Sequence, residues 1–220
     1  MAKSRIAKRR AQLKRRKYLR QLWDAMEGPL FTRNVVLTAG LGLFPILVGC
    51  LDGKSAAALS LLCLYTTVPV CLVSSLVGKY LPLWVRPPLS AVLAAGILLL
   101  VDLGQPWLLR TCGIPGYLMA VGTVMLSHAS DYAPGHVLLG TLADSLGASG
   151  GFALAALLTG GLRELLAGSV WWVQGDESGT LSRSIVSQPF VALLFLGILA
   201  AALQKGNQVR RKKAGKGKTG

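Results

Sequence analysis

Residues 34–50 read NVVLTAGLGLFPILVGC, an apolar run interrupted by Gly40, Gly42, Pro45 and Gly49. Glycine and proline both reduce helix stability, so a helix that only crossed a bilayer would gain nothing from them. Membrane helices contain such breaks where the freed backbone is buried in protein or lines a cavity, and broken helices can build a site at the bilayer midplane. The stretch predicts either a broken functional helix or a helix notched with glycine for close packing.

The composition is typical of a polytopic membrane protein. Of the 220 residues, 52% are hydrophobic and only nine are acidic. Several segments approach the ~20 apolar residues that span a bilayer. We predict an all-α fold with six transmembrane helices, near residues 35–51, 56–77, 89–103, 114–126, 149–166 and 189–203. Helices 1 and 4, both short and interrupted by glycine, would each open one of two inverted three-helix repeats.

The positive charge is concentrated at the two ends. Of the 24 Lys and Arg residues, ten lie in residues 1–20 and seven from Lys205 onward. The positive-inside rule keeps both ends in the cytoplasm, which requires an even number of spans. We therefore predict a basic cytoplasmic amphipathic segment (1–28), a six-span membrane domain (29–204) and a basic cytoplasmic tail (205–220). The expected location is the inner membrane of a bacterium.

Residues 3–26 have the pattern of a basic amphipathic helix. Such a helix can lie on the anionic inner leaflet, where each basic residue contributes about 1 kcal/mol of attraction. Its charge would also suit binding to a partner subunit. A membrane-tethered nucleic-acid binder is a further hypothesis for the whole chain. Lipid attraction explains the pattern most simply, so we expect no nucleic acid.

The cysteines and the polar loops predict no metal site and no catalytic site. Cys50, Cys63, Cys71 and Cys112 lack any metal-ligand spacing, and the first three lie in apolar runs, where cysteine is a small hydrophobe. Cys112 is assigned to an outer loop with Arg110 and Thr111. The stretch SHASDYAPGHVLLGTLADSLG, residues 127–147, is interpreted as a cytoplasmic polar loop. A His/Asp metal site there is the alternative, involving His128, His136, Asp131 and Asp144.

Several short motifs carry a resemblance to a known family. They are Phe31, Asn34 and LGLFP (41–45), Arg86 with Pro88, and ADSL (143–146), which leads without gaps to LRELL (162–166). The pattern resembles the Rnf/Nqr family of membrane electron-transport subunits, and within it the E-type subunit of Rnf, or the D-type subunit of Nqr. The resemblance covers roughly residues 30–205. It implies a membrane subunit, without catalysis of its own, in a complex that couples ferredoxin- or NADH-linked redox chemistry to Na⁺ or H⁺ movement.

The resemblance also implies a cofactor whose ligand residues this chain lacks. Family members pair with an inverted partner subunit around an intramembrane [2Fe–2S] cluster, each giving one cysteine per broken helix. Those positions are Phe44 and Thr123 here, and neither side chain can replace a thiolate. Cys50 lies six residues beyond Phe44, about 9 Å at 1.5 Å per residue. The resemblance thus implies partners of A and D type that carry flavins and iron–sulfur groups, with no cofactor bound by this chain alone.

The same resemblance marks structural or coupling residues and leaves a second function open. The candidates are Asn34, Pro45, Asp144, Arg163 and Glu164. A diverged family member without redox work, acting as a structural subunit or a small transporter, is the alternative. Phe44 and Thr123 favour that alternative, because they occupy the two expected ligand positions.

Overall fold

The computed structural model describes residues 16–17, 19–32, 34–166 and 188–216, with backbone alone at 31–32, 35 and 209–216. These residues form helices and short connections, with no strand among them. The first fifteen residues and residues 167–187 fall outside this range, so most of the predicted basic helix and the connection between the predicted spans 149–166 and 189–203 are not covered. Within the described ranges, four helices are long and apolar enough to cross a bilayer, and a bent helix pair is a fifth candidate. The four are Gly53–Tyr80, Arg86–Gly104, Leu138–Leu166 and Pro189–Gln208.

The first apolar segment is broken. Helix α1 (residues 19–27) runs into a π-helical turn (Gly28–Thr32), followed by α2 (Val35–Ala39) and α3 (Leu43–Gly49). Gly40 and Gly42 separate α2 from α3 with φ of 70° and 75°, a conformation that strongly favours glycine. Of the two interpretations of this stretch, the broken helix is therefore the one that forms.

Helix α4 (Gly53–Val77) begins at a capping box and packs along α9 (Leu138–Leu166). The Asp52 carboxylate accepts the Ser55 N–H at 2.7 Å, and the Ser55 hydroxyl accepts the Asp52 N–H at 3.1 Å. On α9, a methyl group at Gly160 would lie 2.6 Å from the Ala56 Cβ. The close approach of the two central helices thus depends on glycine at that position.

A 3₁₀ turn (Gly78–Tyr80) leads to α5 (Arg86–Gly104), which is followed by α6 (Pro106–Cys112). The segment Ile114–Gly135 leaves α6 at an angle of 116°. The assignment of Arg110 and Cys112 to an outer loop is wrong, because both residues belong to α6. Leu108 and Leu109 are buried in the core, and this burial holds α6 as a helix against its neighbours.

The bent segment contains α7 (Ile114–Tyr117), a 3₁₀ turn (Leu118–Val121), α8 (Thr123–Ser127), a π-helical turn (His128–Tyr132) and a second 3₁₀ turn (Ala133–Gly135). Helix α9 follows, and α10 (Pro189–Lys216) ends the described chain, running past residue 205. The interpretation of residues 127–147 as a polar loop is wrong. Ala129, Ala133 and Ser145 are buried in helical structure, which the polar composition of the stretch concealed.

Candidate functional site

A hydrogen bond joins the two broken segments at their breaks. The Gly42 N–H, between α2 and α3, donates to the Thr123 hydroxyl at 2.7 Å. Thr123 opens α8 directly after the extended residue Gly122. A methyl group on Gly42 would lie 2.7 Å from Val124 Cγ2 and 3.1 Å from the Phe152 ring. The two breaks, 81 residues apart in sequence, are therefore in direct contact in the folded chain.

Asn34 holds the start of the first broken segment. Its side chain is fully buried, and its Oδ1 accepts the N–H groups of Val36 and Leu37 at 3.0 Å, which caps α2. Its Nδ2 donates to the carbonyls of Leu30 and Gly151, each at 3.0 Å. The candidate Asn34 thus joins the broken segment to the middle of α9.

Arg163 holds the opposite end of the first broken segment. It is 0% exposed, and its Nη1 donates to the carbonyls of Leu47 at 3.2 Å and Cys50 at 2.9 Å, at the carboxyl end of α3. Its Nη2 donates to the Gln188 carbonyl at 2.6 Å. The last carbonyls of a helix have no partner within it and carry partial negative charge, so a guanidinium satisfies and stabilises them.

Glu164 and Pro45 support the same segment. The Glu164 carboxylate accepts the Gly53 N–H at 2.9 Å, at the start of α4. Adjacent residues on a helix point in different directions, and Arg163 and Glu164 accordingly contact the end of one helix and the start of the next. Pro45 is buried in the first turn of α3, where its missing N–H would have had no intrahelical partner.

Asp144 lines a cavity instead of lying in a loop. Asp144 is 5% exposed, and its carboxylate contacts His128 Nδ1 at 2.5 Å. The cavity measures about 700 Å³ and also brings Asp24 and Glu27 near Leu41 at the first break. The sequence analysis grouped His128 and Asp144 in a possible His/Asp site but did not predict that these two pair, because they lie on different elements that only the fold brings together.

The alternative of a metal site in this region finds no support. His136 is exposed and stacks on the Tyr132 ring, with centroids 3.8 Å apart. Among the described residues, no group of three or more His, Cys, Asp or Glu side chains is placed to hold a metal ion.

The contacts to the first broken segment are distributed along α9. Gly151 binds Asn34, Phe152 packs against Gly42, and Arg163 binds the end of α3. From Gly151 to Arg163 the helix advances about 18 Å at 1.5 Å per residue. One helix therefore supports the broken segment at both of its ends.

The side chains at the two breaks do not fit an iron–sulfur cluster. Phe44 is 58% exposed and has no ligand atom, and the Thr123 hydroxyl is engaged with Gly42. The four cysteines are buried elsewhere: Cys50 after α3, Cys63 and Cys71 within α4, and Cys112 at the end of α6. No cysteine thus occupies either break, and a cluster of the kind that the resemblance implies has no ligands here.

The fold and the site together define a class: a helical membrane protein in which two interrupted segments contact each other and one long helix supports the first of them. The chain belongs to the Rnf-Nqr family of membrane protein subunits, whose family model matches residues 22–204. This membership confirms the resemblance drawn from the motifs.

Two characterised relatives are E-type subunits of ion-translocating complexes. The E-type subunit of the proton-translocating ferredoxin:NAD(+) oxidoreductase complex of Clostridium ljungdahlii is 24% identical over 195 residues, covering 86% of this chain and 92% of that protein. The E-type subunit of the ion-translocating oxidoreductase complex of Methanosarcina acetivorans is 28% identical over 184 residues, covering 80% of this chain and 86% of that protein.

Proposed function

We propose that this chain is the E-type membrane subunit of an Rnf-like complex that couples ferredoxin- or NADH-linked electron transfer to the movement of Na⁺ or H⁺. The single observation that carries the proposal is the match over residues 22–204 to the Rnf-Nqr family. The two relatives, each the E-type subunit of an ion-translocating oxidoreductase complex, support it. In this role the chain performs no covalent chemistry of its own.

The proposed architecture has six spans in two inverted halves, with both ends in the cytoplasm of a bacterial inner membrane. Four long apolar helices and the bent pair are candidates for five of these spans, and we assign α2 with α3 to the sixth, interrupted one. The basic ends support this orientation. The division into residues 1–28, 29–204 and 205–220 remains part of this proposal.

The proposed partners are the A-type and D-type membrane subunits of the complex. Phe44 and Thr123 are both exposed, at the junction of the two breaks. Aromatic side chains contribute strongly to protein interfaces, so the exposed Phe44 ring suits contact with another membrane subunit. The flavins and iron–sulfur groups would lie in the partner subunits.

The proposed roles of the candidate residues follow from their contacts. Asn34, Pro45, Arg163 and Glu164 fix the position of the broken segment, and Asp144 with His128 provides a buried protonatable pair on the wall of a cavity beside the break. Intramembrane ionisable groups are costly to bury and are commonly functional, so Asp144 is the residue we assign to coupling.

The experiment is gentle purification of the tagged chain from its native membrane, with identification of partners, iron content and low-temperature EPR. We expect flavin-bearing and iron–sulfur partners, and a cluster signal that survives replacement of all four cysteines by alanine. Purification as a lone protein would contradict the proposal. Loss of the signal on replacing Cys50 or Cys112 alone would show that this chain does ligate a cluster.

A non-redox role is the second candidate, and the Gly42–Thr123 hydrogen bond favours it, because the bond already joins the two breaks without a cofactor. On this hypothesis the chain is a structural subunit or a small transporter. Substrate-dependent flux in liposomes containing the chain alone would support transport. Absence of flux, with no change in membrane complexes on deletion, would exclude this candidate.

A further inference from the structure

A narrow apolar cavity opens between α4 and α5, away from the site described above. Its volume is about 180 Å³, and its walls include Val73, Val77, Leu81, Leu89 and Leu93. Val77 is 44% exposed and Val73 is 38% exposed, so the cavity is open to the surroundings of the helices and is not sealed inside the core.

The cavity is unsuited to ordered water. Its two hydroxyl groups are occupied: Ser74 donates to the Ala129 carbonyl at 2.5 Å, and Ser90 donates to the Arg86 carbonyl at 2.8 Å. A buried water requires two to four polar partners, whereas cavities without them stay dry and take apolar ligands. The chemistry of the walls suits a hydrocarbon chain.

The mouth of the cavity carries positive charge. Arg86 lines it, and its Nε donates to the Leu81 carbonyl at 3.1 Å. Its two terminal amino groups have no hydrogen-bond partner in the part of the chain that the structure describes. Lys79 lies in the preceding 3₁₀ turn (Gly78–Tyr80), with its Nζ 5.0 Å from the Tyr80 ring centroid. Within the described residues, no carboxylate lies within salt-bridge distance of Arg86 or Lys79.

The segment around the mouth has the composition of a membrane–water interface. Tyr80 and Trp84 are each 79% exposed, and Leu83 is 72% exposed. Tyrosine and tryptophan side chains concentrate at the level of the lipid headgroups, and lysine and arginine extend toward the same level. The cationic mouth is therefore placed where lipid phosphates lie, with the apolar cavity reaching toward the acyl chains.

We propose that this groove binds an anionic glycerophospholipid, with one acyl chain in the cavity between Val77 and Leu93 and the phosphate at Arg86. The guanidinium of arginine matches a phosphate group in geometry as well as charge, and Lys79 adds attraction for a net negative headgroup. A zwitterionic phospholipid provides the same acyl chain but no net charge, so the site prefers anionic lipid. The inference is independent of the proposed redox function.

The test measures lipid retained by the purified protein together with whatever co-purifies. Bound phospholipid is quantified by native mass spectrometry after mild delipidation, followed by add-back of phosphatidylglycerol or phosphatidylcholine. Val77→Phe fills the cavity, and its matched control is Val92→Phe, the same change at an α5 position that is 69% exposed and does not line the cavity. Arg86→Gln removes the charge, and Arg86→Lys retains it.

We expect Val77→Phe and Arg86→Gln each to weaken phosphatidylglycerol retention by about tenfold, the effect of losing one charge-assisted contact or an equivalent apolar contact. Val92→Phe should retain lipid normally, and Arg86→Lys should retain most of it. Equal retention of the two lipids, or normal retention by Val77→Phe, would overturn the proposal. Crosslinking of a probe at Val77 to a partner protein instead of lipid would also overturn it. If Arg86→Gln does not yield folded protein, the comparison of Val77→Phe with Val92→Phe decides the question.

Discussion

Replacing Arg163 by alanine should destabilise the protein severely, because it removes the group that binds the end of α3. The guanidinium is fully buried and makes hydrogen bonds to the carbonyls of Leu47, Cys50 and Gln188. A hydrogen bond to a charged group contributes about 1.5–3 kcal/mol, so the loss of three amounts to roughly 4 kcal/mol or more. The truncated side chain also leaves a cavity, which adds to the cost.

A loss of this size is comparable to the whole stability of many domains, so we expect Arg163→Ala to reduce assembly more than turnover. The measurement is the yield and thermal stability of the detergent-solubilised complex, followed by turnover per assembled complex. Arg110→Ala is the matched control, since Arg110 is exposed on α6. Arg163→Lys should recover only part of the stability, because an ammonium group lacks the planar fork of the guanidinium that reaches carbonyls on two sides.

The result that would refute this reasoning is a normal yield of Arg163→Ala with lost activity. It would mean that the guanidinium acts in turnover and that the end of α3 is held by other contacts. A loss of yield as large in Arg110→Ala would mean that the assay reports general sensitivity to charge removal and not the burial of Arg163.

Three further changes test the rest of the broken segment. Gly42→Ala should lower the free energy of unfolding by about 1–3 kcal/mol, because residue 42 has a positive φ and a methyl group would clash with its neighbours. The control Gly96→Ala, at an open helical position, should be neutral or stabilising. Both are measured by thermal unfolding. Asn34→Ala should lower the free energy of unfolding by about 1–2 kcal/mol, because it removes the α2 cap and the hydrogen bond to Gly151. The melting midpoint measures this loss, and an unchanged midpoint would show that water replaces the amide. Asp144→Asn should preserve complex yield and reduce ion-coupled turnover, because it removes the carboxylate that contacts His128 while conserving the shape of the side chain. An unchanged ratio of ions moved to electrons transferred would show that Asp144 does not take part in coupling.

Much of the membrane organisation could be predicted from hydrophobic patterning, whereas the polar surroundings of the site could not. The apolar runs near residues 56–77, 89–103, 149–166 and 189–203 correspond to long helices, because each contains enough apolar residues to cross a bilayer. The polar composition of residues 127–147 is misleading, because composition distinguishes polar from apolar residues but does not show which polar residues are buried. Asp144 is buried because His128, on another element, contacts its carboxylate.

The Arg163–Glu164 pair shows the same limit at the other end of the molecule. Their adjacency in sequence predicts that they do not serve as each other's main partner. It does not predict that one binds the end of α3 while the other binds the start of α4. Those partners are backbone groups, and backbone groups carry no sequence signature.

The sequence by itself determined the class of protein, the basic ends, and the positions at which the chain must break, because glycine and proline act locally on the backbone. Only the tertiary structure decided how those breaks are stabilised. A break frees backbone N–H and C=O groups that the membrane interior cannot hydrate, so a distant part of the fold has to supply their partners. Here Thr123 supplies the partner for Gly42, and Arg163 supplies it for the last carbonyls of α3. Which side chains come within reach depends on the packing of the helices.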